Sequence, residues 1–112
     1  MSYTTKDLEV LVKNYTCDML YDSHKIETRI QRSEAGKELR QIGSSAFNAI
    51  AAKMKGLFPL DQSVDHDMLI AYTQLIYGII NDHNLPPAPY DKYVKYSNQD
   101  PRIWIAYCEE NG

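Results

Sequence analysis

From Asp65 to His83 the apolar residues Met68, Leu69, Tyr72, Leu75, Ile76, Ile79 and Ile80 recur at the three- and four-residue spacing of one helix face. Ile70 and Tyr77 widen the stripe on its flanks. A helix that apolar must be covered by other elements, so it sets the rest of the fold. Its end is sharp, because Asn84 tolerates the left-handed conformation and Pro86, Pro87 and Pro89 forbid helix continuation. A proline-stiffened connector follows.

At the start of the chain, Thr4 or Thr5 can cap a helix with Asp7 in its first turn. Leu8, Leu11, Val12, Tyr15 and Met19 follow at helical spacing. Asp22 and Ser23 offer a second cap, after which Ile26 and Ile30 keep one interval before a longer jump to Ala35. At about 100° per residue, Ile26 and Ala35 lie nearly opposite each other. We read residues 24–42 as one long helix touching neighbours on both sides, with a break near Arg32 and Ser33 as the alternative.

Ala35, Leu39 and Ile42 form one stripe, and Ala46, Ala49, Ile50, Met54 and Leu57 form another beyond Gly43. Gly43 suits a helix exit, and Ser44 suits the cap of the next helix. Pro59 closes that helix, and Asp61, Ser63 or Asp65 opens the central one. Tyr90, Tyr93 and Val94 suggest a single helical turn, and Asp100-Pro101 starts a terminal helix with Ile103, Trp104 and Tyr107 inward. No segment alternates in the way a sheet demands. The expectation is all-α: one domain over residues 1–112, a compact bundle of about five helices with an antiparallel hairpin.

Arg32, Ala35, Leu39, Ile42 and Gly43, then Ala46, Ile50 and Met54, resemble a single hairpin of the HEAT-like helical class. There is no second copy at a fixed period, so the resemblance covers residues 32–57 alone. It implies a protein-binding scaffold and carries over no site residues.

The net charge of −3 is uneven: residues 1–60 hold nine Lys or Arg against seven Asp or Glu, and residues 61–112 hold three against eight. No run approaches the roughly 20 apolar residues of a membrane span, and the first residues do not read as an export signal. Cys17 and Cys108 are therefore expected as reduced thiols, and the chain as cytoplasmic.

Glycine-rich phosphate loops, nucleophile elbows and paired-cysteine metal motifs are absent from the sequence. The reading is no enzyme, no cofactor and no metal. Its main alternative is a metal-dependent or catalytic protein built on Asp65, His66 and Asp67, although acids at a helix start also serve the helix dipole. Asp82 sits at the end of the same helix, where the dipole opposes it, which hints at a use. A second alternative is a nucleic-acid binder using Lys25, Arg29, Arg32, Lys37 and Arg40, disfavoured because Glu27, Glu34 and Glu38 dilute the patch.

Nine tyrosines and one tryptophan are the richer signal, because aromatic rings with polar tips dominate binding hot spots. Tyr90, Lys92, Lys95 and Tyr96, beside the proline connector, are the expected partner-binding residues. The function expected is a small helical protein that binds another protein, in its concrete form an inhibitor of the immunity or anti-defence type from a bacterium or phage. A homodimer through Ile70 and Tyr77 is a further expectation.

Overall fold

The computed structural model describes residues 2–21, 24–87 and 100–112. Helix α1 (Thr5–Tyr21) opens on a reciprocal capping box. The Thr4 backbone N–H donates to Asp7 Oδ2 at 2.9 Å, and the Asp7 N–H donates to Thr4 Oγ1 at 3.1 Å. Leu8, Val12, Tyr15 and Met19 are buried along it, as their spacing predicts.

The single helix expected over residues 24–42 is instead two, α2 (Ile26–Arg32) and α3 (Glu34–Ile42), divided at Ser33. Ser33 is extended (φ −70°, ψ 115°), and its buried hydroxyl does two jobs. It accepts from the Gly36 N–H at 3.0 Å, capping α3, and donates to Asp18 Oδ2 on α1 at 2.6 Å. The break also resolves the change of face between Ile30 and Ala35. Ile26 and Ile30 pack on the core from α2, while Ala35 and Leu39 are buried from α3.

Gly43 ends α3 with φ +89° and its N–H on the Leu39 carbonyl at 3.1 Å. A short 3-10 turn, Ser44–Ala46, leads into α4 (Phe47–Lys55). The expected Ser44 side-chain cap is not made; the Phe47 N–H bonds to the Ser44 backbone carbonyl, so the 3-10 turn satisfies the helix start. Helix α3 packs chiefly on α1 and α5, and α4 chiefly on α6 and α1. The apolar stripes on either side of Gly43 thus each find partners elsewhere in the bundle.

The central helix is α5 (Ser63–His83). Asp65 Oδ2 accepts from the Gln62 N–H at 3.0 Å at its start, and Asn84 is left-handed (φ +53°) at its end. Met68, Tyr72, Leu75, Ile76, Ile79 and Ile80 are buried and Leu69 is partly so. Helix α6 (Arg102–Asn111) begins where Asp100 accepts from the Arg102 N–H at 3.0 Å. Its buried side is Ile103, Ile105, Tyr107 and Cys108, with Trp104 half-buried at the edge, one position off the expected face.

The fold is an all-α bundle of six α-helices among the described residues, with no strand among them. One hydrophobic cluster draws on α1, α3, α4, α5 and α6. Its buried polar groups are answered across the α1–α5 contact: Tyr15 Oη donates to the Ala71 carbonyl at 2.6 Å, and the Tyr72 hydroxyl meets that of Thr16, which itself donates to the Val12 carbonyl at 2.8 Å. Among the described residues no buried side-chain nitrogen or oxygen lacks a partner. Neither Cys17, half-buried, nor Cys108, buried, is in a disulfide.

Candidate functional site

The expected partner-binding residues Tyr90, Lys92, Lys95 and Tyr96 lie outside the described residues, as does the helical turn expected at Tyr93 and Val94.

Asp65, His66 and Asp67 occupy successive positions in the first turns of α5, which sends their side chains in different directions. The Asp65 carboxylate is engaged with the Gln62 N–H, and His66 and Asp67 are exposed. Among the described residues no three His, Cys, Asp or Glu side chains converge as metal ligands do. The structure brings this trio together in sequence but not at one point.

The basic residues of α2 and α3 are largely engaged within the chain. Arg29 donates through Nη1 to the Met19 carbonyl at 2.6 Å and through Nε to the His24 carbonyl, tying α2 to the open end of α1. Arg32 Nη1 lies 3.1 Å from His24 Nε2, and Lys37 pairs with Glu34 at 3.2 Å. Arg40 forms a two-point ion pair with Asp82, which answers the dipole conflict at the end of α5. His83 Nε2 donates to the Arg40 carbonyl at 2.6 Å, and its ring lies against Gly43, where an added Cβ would come within 3.0 Å. These contacts fasten α3 to α5.

Tyr15, Tyr72 and Cys108, whose titrations are displaced, are buried side chains. Burial pushes the Tyr15 phenol above its ordinary value, with Tyr72 adding to the effect and Arg40 opposing it. Burial likewise raises Tyr72, against the hydrogen bond with Thr16, and raises the Cys108 thiol, with Glu109 adding to the effect. At the surface, Arg102 hydrogen bonds hold the Asp100 carboxyl below its usual range. None of these groups has a nucleophile–base arrangement around it that would identify a reaction.

What the surface does offer is a groove between α1 and the start of α4, of about 600 Å³. Leu8, Val12, Ala49 and Ala52 supply its apolar lining, and Val10 adds a side that is 47% exposed. Lys6, Lys13 and Lys53 stand on the rim with Glu9. Sequence reasoning missed this groove. Its signal was Val10, an apolar residue off the buried stripe of α1, combined with the small Ala49 and Ala52 on the facing helix.

A second apolar feature is an aromatic row running from inside to outside. The Phe47 and Tyr107 rings lie 5.8 Å apart, Tyr107 and Trp104 6.4 Å, and Trp104 and Tyr77 5.0 Å. Tyr77 and Ile70 are 49% and 44% exposed on α5, so the residues expected at a homodimer face are at the surface. No helix among the described residues is long and apolar enough to cross a membrane. Comparison with family models, curated proteins and solved structures found no match to this chain.

Proposed function

We propose that the chain is a small non-enzymatic protein that binds another protein. The observation that carries this reading is the α1–α4 groove, a half-open and mostly apolar depression bordered by charged side chains, with neither His nor Cys among its lining residues. Apolar residues held out of the core, such as Val10 and Tyr77, add area that a partner would cover. The particular form we favour is an inhibitor of the immunity or anti-defence type, working in the cytoplasm of a bacterium or of a cell its phage infects. That form rests on small size and acidic charge by analogy.

The test is purification of a tagged chain from cells that encode it, through two unrelated separation steps, followed by native mass spectrometry. A second polypeptide in fixed ratio is expected. Recovery of the chain alone would overturn the reading.

A further inference from the structure

We propose that the α1–α4 groove docks an acidic amphipathic helix of the partner protein, an inference that rests on the protein-binding reading above and specifies what is bound. Three properties of the groove select that occupant. The first is shape: it runs along α1 from Thr5 to Lys13, about 12 Å of helix at 1.5 Å per residue, which matches a little over two turns of a third helix. A channel between two helices receives side-chain ridges, and Ala49 and Ala52 leave room for them.

The second property is apolarity without full enclosure. The groove is only partly enclosed, whereas a small molecule is held by a site that surrounds most of its surface. A helix laid in the channel would bury its own apolar face against Leu8, Val10 and Ala49 while its polar face stayed in water.

The third is charge. The chain carries −3 overall, yet this rim presents three lysines against one glutamate. Among the described residues Lys6, Lys13 and Lys53 have no ion-pair partner, unlike Lys37, Arg40 and Lys55. Carboxylates bordering the apolar face of an incoming helix would meet those ammonium groups, which steers encounter and fixes orientation. A second copy of this chain fits less well, since the exposed row of α5 through Asp67, Ile70, Gln74 and Tyr77 brings a single carboxylate.

The experiment titrates the ¹⁵N-labelled chain with a stapled three-turn helical peptide carrying Leu on one face and Glu along both borders. Two controls accompany it: the same peptide with every Glu replaced by Lys, and vesicles containing anionic lipid. Saturable amide shifts confined to residues 5–13 and 45–53 are expected for the acidic peptide, with affinity falling at least tenfold in K13E/K53E and none of this for the basic peptide. Lys13 and Lys53 are exposed, so that variant should keep the helical circular dichroism of the parent. Equal binding of both peptides, shifts elsewhere, binding to vesicles alone, or unchanged affinity in K13E/K53E would overturn the inference. A co-purifying partner that K13E/K53E retains would remove the groove while leaving the protein-binding reading intact; a chain without partner would remove that reading.

Discussion

The guanidinium of Arg40 grips the carboxylate of Asp82 at two points, Nε to Oδ2 at 3.0 Å and Nη2 to Oδ1 at 3.1 Å. It does so by lying across α5 at Gly78, where an added Cβ would fall 2.6 Å from Arg40 Nε. A glycine in the middle of the central helix sacrifices up to about 1 kcal/mol of helix propensity relative to alanine. The close passage of Arg40 explains why it is there.

Gly78→Ala should therefore be coupled to Arg40. In the parent chain the new methyl displaces the guanidinium, and the lost pair, about half exposed and worth at most about 1 kcal/mol, offsets the propensity gain. In an Arg40→Ala background the same substitution should stabilise by roughly 0.5–1 kcal/mol. Urea unfolding of the four-member cycle measures the coupling. Additivity within about 0.3 kcal/mol would show that Arg40 does not pass over Gly78 in solution.

Ser33 supports the division of α2 from α3 with one hydroxyl, as acceptor from Gly36 and donor to Asp18. Ser33→Ala should cost about 1–2 kcal/mol, because it removes a cap and leaves the Asp18 carboxylate without that donor. Asp18→Asn should cost less, and the double variant should fall short of the sum. Equal and additive losses in chemical denaturation would contradict the shared hydroxyl.

The break at Ser33 stands in the sequence only as an alternative to one long helix, and the reason is instructive beside what the residues settle outright. The threonine cap of α1, the stripe of α5 and the left-handed Asn84 were legible because each is local: a cap, a period and a stop lie within a few residues of one another. The change of face between Ile30 and Ala35 was also legible, but choosing between a two-sided helix and a break needed the position of Asp18 on another element. The groove was hidden for the same reason. Val10 and Ala52 mean little in sequence until α1 and α4 lie side by side. Asp82 was legible only as a conflict with the helix dipole, and its partner Arg40 came from a helix far away in the chain.

The two thiols should differ sharply in reactivity. Cys17 is half-buried on α1, whereas Cys108 is enclosed and its thiol is pushed up by burial, which suppresses the thiolate that reagents attack. Titration of the reduced native chain with a thiol reagent near neutral pH should show one fast equivalent, and the second should appear only with denaturant. Cys17→Ser should abolish the fast phase. Two fast equivalents, or a fast phase that survives in Cys17→Ser, would place Cys108 outside the core.

Alkali should unfold the chain, and the sign follows from Tyr15. Its phenol is neutral and enclosed in the folded state, where burial raises its titration above the ordinary value of 10.0 that it has in the unfolded chain. As pH rises past about 10, the unfolded chain releases this proton while the folded chain keeps it, so the folded state binds more protons and stability falls with pH. Tyr72 shifts in the same direction, and Cys108 adds its share earlier because an ordinary thiol titrates near 9.0. Each group alone contributes a slope approaching about 1.4 kcal/mol per pH unit once its unfolded form is ionised. Urea midpoints should hold steady from pH 7 to 8 and then decline with increasing steepness to pH 11. Tyr15→Phe should start less stable, by about 1 kcal/mol for the lost hydrogen bond to Ala71, yet decline less steeply above pH 10. Parallel declines in the parent and Tyr15→Phe would mean that the Tyr15 hydroxyl ionises as readily in the folded chain as in the unfolded one, and so is not sealed against α5.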